Sequence, residues 1–209
     1  TDTRLTRYRC KGDPLPLDSV GSIAVSSFIR TRETDWIGTR FGLYRCKRNT
    51  EYGKGNIFSD RSRITDHAVH ALLMQGHQVW SATGNGLEVF DPDGKRIPLQ
   101  GAFRELQNEV IYTLLADDRG RVWFSGNHGI GCIDSGADMI VRFRAENNLQ
   151  SLEFNSNAAC KAPGGNLYFG GIRGINGFDP SWFTSGKSEG QVPLLSLVQF
   201  AHWDEIMAA

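Results

Sequence analysis

The stretch "NLYFGGIRGINGFDP" (residues 166–180) mixes glycine and aromatic residues more densely than an ordinary strand does. The same pattern occurs three more times, in "WIGTRFGLYRC" from Trp36, "WSATGNGLEVFD" from Trp80 and "WFSGNHGIGCID" from Trp123. With Tyr168 opening the last copy, the four aromatic residues are 44, 43 and 45 residues apart. Four copies at nearly constant spacing indicate one structural unit used four times.

Each copy carries a glycine six residues after its aromatic residue, and Leu or Ile follows that glycine. The four glycines are Gly42, Gly86, Gly129 and Gly174. We expect each of them to adopt positive φ in the turn between the second and third strands, where other residues meet steric hindrance. The residue two after the aromatic is always small and shares its strand face. The repeat tryptophans are therefore predicted to pack in the core.

The unit holds about four short strands, because apolar runs lie before each aromatic residue and, in the middle copies, after the glycine turn. Four-stranded units of this length are typical of propeller blades, so the predicted fold is an all-β propeller. Blades are predicted at about 20–60, 67–101, 109–145 and 154–180. Strands are predicted at 22–28, 35–39, 43–46, 68–74, 78–83, 87–90, 110–116, 121–125, 130–133, 139–143, 157–161, 166–170 and 174–178.

The two ends of the chain raise the question of how the arc of blades is completed. "TRLTRYR" (3–9) resembles an outer strand, which would close a four-bladed ring by pairing beside "GINGFD" (174–179). Alternatively, "VPLLSLVQF" (192–200) serves as the missing strand or begins a following domain, with 191–209 as a linker or tail. Large Trp residues suit a wide ring, so we expect association of two copies rather than closure of four blades.

The composition excludes several classes of protein. Lys plus Arg equals Asp plus Glu at 23 each, which argues against nucleic-acid binding. No apolar run approaches the roughly 18–20 residues that span a bilayer, so no membrane contact is expected within this chain. The four cysteines form no CxxC pair, which disfavours zinc. They are expected as free or buried thiols, with one or two disulfides as the alternative.

No catalytic or metal-binding motif occurs in the sequence. His67 and His70 are predicted at the start of one strand, three residues apart, so they would point to opposite faces and not share a metal. Asp91, Asp93 and the "DDRG" segment (117–120) are interpreted as turn residues. We therefore expect no catalytic residue, no metal and no cofactor.

The candidate ligand-binding residues are the variable pairs before the constant glycines. In propellers these turns share a face with the connections between blades, here 59–66, 103–109 and 144–151. Planar polar groups beside an aromatic ring suit a sugar or oligosaccharide, through hydrogen bonds and ring stacking. The candidates are Arg40, Phe41, Asn85, Asn127, His128 and Arg173.

The copies resemble the two-component regulator propeller repeat, most clearly in "TDWIGTRFGLYR" (34–45) and "DDRGRVWFSGNHGIGCID" (117–134). Residues 147–180 resemble the last such repeat in the periplasmic sensor region of hybrid two-component proteins of Bacteroidetes. That resemblance implies a periplasmic, non-catalytic sensor segment, with an immunoglobulin-like domain after residue 191 and a histidine kinase elsewhere. The family usually carries two seven-bladed propellers, so four copies imply part of a sensor.

Two other functions remain open. A propeller lyase or glycosidase would need paired carboxylates, or a His with an acid, converging at the central channel. A protein-interaction scaffold of the WD-repeat kind would carry Gly-His and Trp-Asp in each repeat. Here Gly76-His77 and Trp203-Asp204 each occur once, and neither occupies the repeat position.

Overall fold

The computed structural model describes residues 25–47, 61–183 and 196–199. They form four antiparallel sheets, each of four strands in consecutive order along the chain. The first holds β1 (Val25–Arg30), β2 (Thr34–Thr39), β3 (Gly42–Lys47) and β4 (Arg61–Thr65), and the second β5 (Val69–Gln75), β6 (Gln78–Thr83), β7 (Gly86–Phe90) and β8 (Arg96–Ile97). The third holds β9 (Ile111–Ala116), β10 (Val122–Gly126), β11 (Gly129–Asp134) and β12 (Met139–Phe143), and the fourth β13 (Phe154–Lys161), β14 (Leu167–Gly171), β15 (Gly174–Phe178) and β16 (Ser196–Gln199).

Within the described part of the chain the only helical turns are short 3₁₀ segments, at Gly101–Leu106, Ala145–Asn147 and Pro180–Trp182. None of its helices is long and apolar enough to cross a membrane. The predicted all-β propeller blades are confirmed. The first strand of each blade is innermost, because β1 packs along β5, β5 along β9 and β9 along β13.

Successive blades pack through the repeat tryptophans. Trp36 is 1% exposed and meets Phe90 of the second blade, with ring centroids 6.4 Å apart. Trp80 lies in a cluster with residues of the third blade, and Trp123 packs against Phe178 of the fourth at 4.8 Å. Each tryptophan therefore fills the interface with the following blade, as predicted.

Tyr168 departs from this pattern and remains 37% exposed. It occupies the tryptophan position of the fourth blade, whose outward face meets no further sheet among the described residues. Core packing was predicted for the tryptophans and holds for all three, whereas Tyr168 at the same repeat position is exposed. The strand position alone does not bury a ring, because burial requires a neighbouring sheet.

The outer strands differ most from the prediction. Residues 61–65, predicted as a connection, form β4, and the position beside β15 is taken by Ser196–Gln199. The strand 3–9 proposed for that position lies outside the described residues, whereas the alternative segment 192–200 contains β16, which pairs with β15. β1 and β13 do not pack along each other, so the described blades form an open arc rather than a closed ring of four.

The remaining strand bounds shift by at most three residues. β13 begins at Phe154, three residues earlier than predicted, because Phe154 still pairs with Gly171 beyond a bulge that interrupts the ladder with β14 between Phe154 and Ala159. Asn157 lies in that bulge at φ 58°. Predicted strand residues 22–24 and residues 59–60 of the predicted connection 59–66 lie outside the described part of the chain.

Candidate ligand-binding face

The four turns between second and third strands lie on one face of the arc, together with the connections between blades. Backbone hydrogen bonds between the turns and the connections show this arrangement. Asn108 donates its backbone N–H to the carbonyl oxygen of Asn85 at 2.9 Å, and Gly129 donates to that of Leu152 at 2.9 Å. These two connections therefore pack against the turns of the blades that precede them, so turns and connections lie together, and ligand binding at this face stays a prediction.

The constant glycines make this contact possible. Gly42, Gly86, Gly129 and Gly174 have φ values of 132°, 114°, 99° and 142°, a region that other residues rarely adopt. A Cβ atom at Gly129 would also collide with the carbonyl oxygen of Phe143. The repeat glycine thus allows the backbone conformation of the turn, and it also allows the outgoing end of the blade to pack closely against that turn.

The first turn presents Arg40 and Phe41. The guanidinium of Arg40 lies 4.6 Å from the ring centroid of Phe41, in a cation–π contact, and Phe41 is 44% exposed. One face of the ring is therefore occupied by the chain's own arginine, which leaves the other face for a ligand. The turn is held by Thr39, whose hydroxyl accepts the Phe41 N–H and donates to the Gly42 carbonyl.

The second turn exposes the side chain of Asn85. Within the described residues its amide makes no side-chain hydrogen bond, so its donors and acceptor are available to a ligand. Its backbone is fixed instead, by the bond to Asn108 and by the bond from its own N–H to the Thr83 hydroxyl at 3.0 Å.

The third turn contributes the most elaborate arrangement on the face. His128 Nδ1 lies 3.6 Å from Glu109 Oε1, and its side chain is 71% exposed. Arg142 of β12 donates two hydrogen bonds to the two carboxylate oxygens of Glu109, at 2.6 and 2.7 Å. The guanidinium also lies 5.3 Å from the ring centroid of Phe124, which fixes its plane. A well-oriented carboxylate therefore stands beside an exposed imidazole and the exposed Asn127.

The fourth turn is fixed from beneath by buried amides. The backbone N–H of Arg173 donates to Gln150 Oε1 at 2.7 Å, and Asn176 Oδ1 accepts the Gln150 N–H at 2.9 Å. Asn176 Nδ2 donates to the Asn148 carbonyl oxygen. Gln150 and Asn176 are almost fully buried, so they position Arg173 without being open to a ligand themselves.

Residues from the connections between blades and from neighbouring strands therefore contact the candidate turns. Glu109, Arg142, Gln150 and Asn176 were not among the predicted site residues. Glu109 lies in the predicted connection 103–109, which was a usable signal. Nothing in the local pattern marks Arg142 or Asn176, because each lies inside a strand and meets the face only through tertiary packing.

The histidines predicted to point apart do have separate partners. His70 Nδ1 lies 2.8 Å from the Ile111 carbonyl oxygen, whereas His67 Nδ1 lies 3.1 Å from Glu88 Oε1. His67 precedes β5, so it is in a connection rather than in a strand as predicted. No group of three metal-ligating side chains occurs among the residues that the structure describes.

The described cysteines Cys46, Cys132 and Cys160 are free thiols, and Cys10 lies outside the described residues. Burial in the core raises the pKa of the Cys132 thiol well above its ordinary value.

The predicted turn roles also hold, since Asp91 Oδ1 accepts two backbone N–H groups of its hairpin and Asp117 Oδ1 does the same in "DDRG".

Comparison with known proteins agrees with this architecture. Residues 105–128 match the family described as "Two component regulator propeller", so the third blade carries that repeat. No curated protein matches the chain. Among solved structures, the chain is similar to the extracellular domain of the hybrid two component system BT3049 from B. thetaiotaomicron, with a TM-score of 0.60 and 15% identity over 85% of this chain and 23% of that chain.

Two further solved structures share the fold. The extracellular domain of the one component system BT4673 from B. thetaiotaomicron has a TM-score of 0.59 and 17% identity, over 78% of this chain and 21% of that chain. Virginiamycin B lyase from Staphylococcus aureus has a TM-score of 0.52 and 14% identity, over 84% of this chain and 55% of that chain. The chain thus spans less than a quarter of the two B. thetaiotaomicron domains.

Proposed function

We propose that this chain is a ligand-binding propeller segment of an extracytoplasmic sensor in a two-component system, and that it performs no catalysis itself. The repeat at 105–128 and the likeness to two extracellular sensor-system domains support this class of protein. In the parent protein, a periplasmic sensor of this kind would relay binding to a histidine kinase outside this chain.

The ligand that best suits the face is a carbohydrate. The observation that carries this proposal is the group formed by Glu109, Arg142 and His128. Arg142 orients the carboxylate of Glu109, which can accept hydrogen bonds from sugar hydroxyls, and the exposed imidazole of His128 adds a donor or acceptor beside it. Asn127 and Asn85 extend the same kind of bonding along the arc, and the free side of Phe41 can stack on a sugar ring.

A glycan array probed with the purified chain tests the proposal, followed by calorimetric titration of each glycan that binds. We expect His128→Ala to weaken binding about tenfold, the loss of one or two hydrogen bonds. Lys95→Ala is the matched control, because Lys95 is exposed in the β7–β8 hairpin on the opposite face and should leave affinity unchanged. An array without hits would argue against the carbohydrate, and equal losses in both variants would argue against the face.

A protein-interaction scaffold is the alternative that the same experiment addresses. Such a scaffold would bind no glycan. It would need no oriented carboxylate at the turn face, whereas a sugar receptor does. Binding of a glycan by wild type and its loss on Glu109→Gln, with the fold retained, would favour the sensor.

A further inference from the structure

Two buried polar groups face each other at the interface of the first two blades. Ser81 of β6 and Glu88 of β7 are directly paired across the ladder, and their exposed fractions are 0% and 2%. The Ser81 hydroxyl and Glu88 Oε2 have no hydrogen-bond partner among the described residues. The other carboxylate oxygen is well supplied, with His67 Nδ1 at 3.1 Å and Arg96 Nη2 at 3.2 Å.

The other three blades fill the same pair of positions differently. The corresponding ladder pairs are Ile37 with Tyr44, Phe124 with Gly131 and Phe169 with Asn176. In each of them a large apolar side chain stands where Ser81 stands in the second blade. Asn176, the amide at the Glu88 position of the fourth blade, is hydrogen-bonded to Gln150 and Asn148.

Ser81 is therefore small at a place where the fold usually holds a branched or aromatic side chain. Protein interiors tolerate few voids, and a buried carboxylate oxygen without a partner is costly. The smaller side chain of Ser81 leaves more room than its counterparts in the other blades, and the two unpartnered buried atoms supply the polar partners that a buried water needs.

We propose that Ser81 and Glu88 form a binding site for a single ordered water molecule. The water donates one hydrogen bond to Glu88 Oε2 and shares another with the Ser81 hydroxyl. Together with the bond from His67, this completes a polar chain from the connection on the candidate ligand face into the interface of the first two blades. His67 is 34% exposed at its side chain, so the chain begins at the surface.

The sign of the stability change in two variants tests the site. If the water is present, Ser81→Val displaces it and leaves Glu88 Oε2 without a partner, so the urea midpoint should fall by about 0.5–1 M. If the space is dry, Val fills it and removes an unpaired hydroxyl, so the midpoint should rise. Ser81→Ala serves if the Val variant fails to fold. With a bound water it removes one of the water's partners, so the midpoint should fall. Without a water it removes an unpaired buried hydroxyl, so the midpoint should rise.

Water relaxation dispersion on the folded chain supplies the second readout. Wild type should show one more long-lived water than Ser81→Val, and Glu88→Gln, which keeps the shape and an acceptor, should retain it. A rise in the midpoint for either serine variant, or equal dispersion in wild type and Ser81→Val, would overturn the proposal.

Discussion

Arg121 Nη1 donates to the carbonyl oxygen of Phe183 at 2.6 Å, although 62 residues separate the two in the chain. The same guanidinium donates through Nη2 to the Pro180 carbonyl oxygen and through Nε to Asp117 Oδ2. The hairpin of the third blade therefore holds the segment that leaves β15. Trp123 completes the network by donating its indole N–H to Asp117 at 2.9 Å.

Replacing Arg121 by Met should destabilise the chain by about 3–5 kcal/mol, because Asp117 is left as a buried charge without its partner. Urea unfolding followed by tryptophan fluorescence measures the loss. The matched control is Arg119→Met, since Arg119 also donates to the Phe183 carbonyl oxygen but is exposed, and its cost should stay below about 1 kcal/mol. Similar urea midpoints for both variants would contradict the stabilising role of the buried Arg121–Asp117 ion pair.

Gly129→Val should cost more stability than Asn127→Val. At Gly129 the new side chain is forced into positive φ, worth about 1–3 kcal/mol, and it also collides with the Phe143 carbonyl oxygen. Asn127 lies at the exposed tip of the same turn, where a side chain meets no such obstacle. Equal chemical-denaturation midpoints would show that the glycine is not required.

Trp123→Ala should destabilise the chain by about 3–5 kcal/mol, as expected for a fully buried aromatic residue. Tyr168→Ala should cost much less, because Tyr168 holds the same repeat position without a blade to cover it. Differential scanning calorimetry of the two variants makes the comparison. A larger loss for Tyr168 would mean that its face is covered in solution.

The thiols should differ sharply in reactivity. In a Cys10→Ser background, a disulfide reagent should modify exposed Cys160 at once and buried Cys46 and Cys132 only after unfolding. Because the folded-state pKa of Cys132 is raised, its contribution to stability is complete below the ordinary thiol pKa of about 8.5 and declines as pH rises above it. The urea midpoint of unfolding should therefore be lower at pH 10 than at pH 8. In Cys132→Ala this decrease should be smaller.

The open arc leads us to propose self-association through the fourth blade. Each earlier blade covers its repeat aromatic with the next sheet, whereas Tyr168 remains exposed beside exposed Cys160. A second copy is the partner that we expect, because this interface repeats within the chain. Light scattering should find a dimer that Tyr168→Arg converts to monomer and that survives removal of residues 1–9. A monomeric wild type at high concentration would refute it.

Much of the architecture followed from the sequence by itself. The spacing of Trp36, Trp80 and Trp123, and of the glycines six residues beyond each, determined the blade count, the second and third strands and the turn face. These features are local, since a strand pair and its turn depend on residues within about a dozen positions of one another. The positive φ at Gly86 and its counterparts is a property of that short unit.

Only the tertiary structure decided what lies between units. Tyr168 repeats the pattern of the tryptophans, yet its exposure depends on whether another sheet covers it. β4 is an outer strand with little local signal, whereas β16 lies in the apolar run 192–200 that was one of two alternatives, and both pair because β3 and β15 offer free edges. Glu109 meets Arg142 and His128, and Ser81 meets Glu88 between two blades, because packing brings distant segments together. The repeat determined the blades, and the contacts between blades decided which side chains are buried, paired or available to bind a ligand.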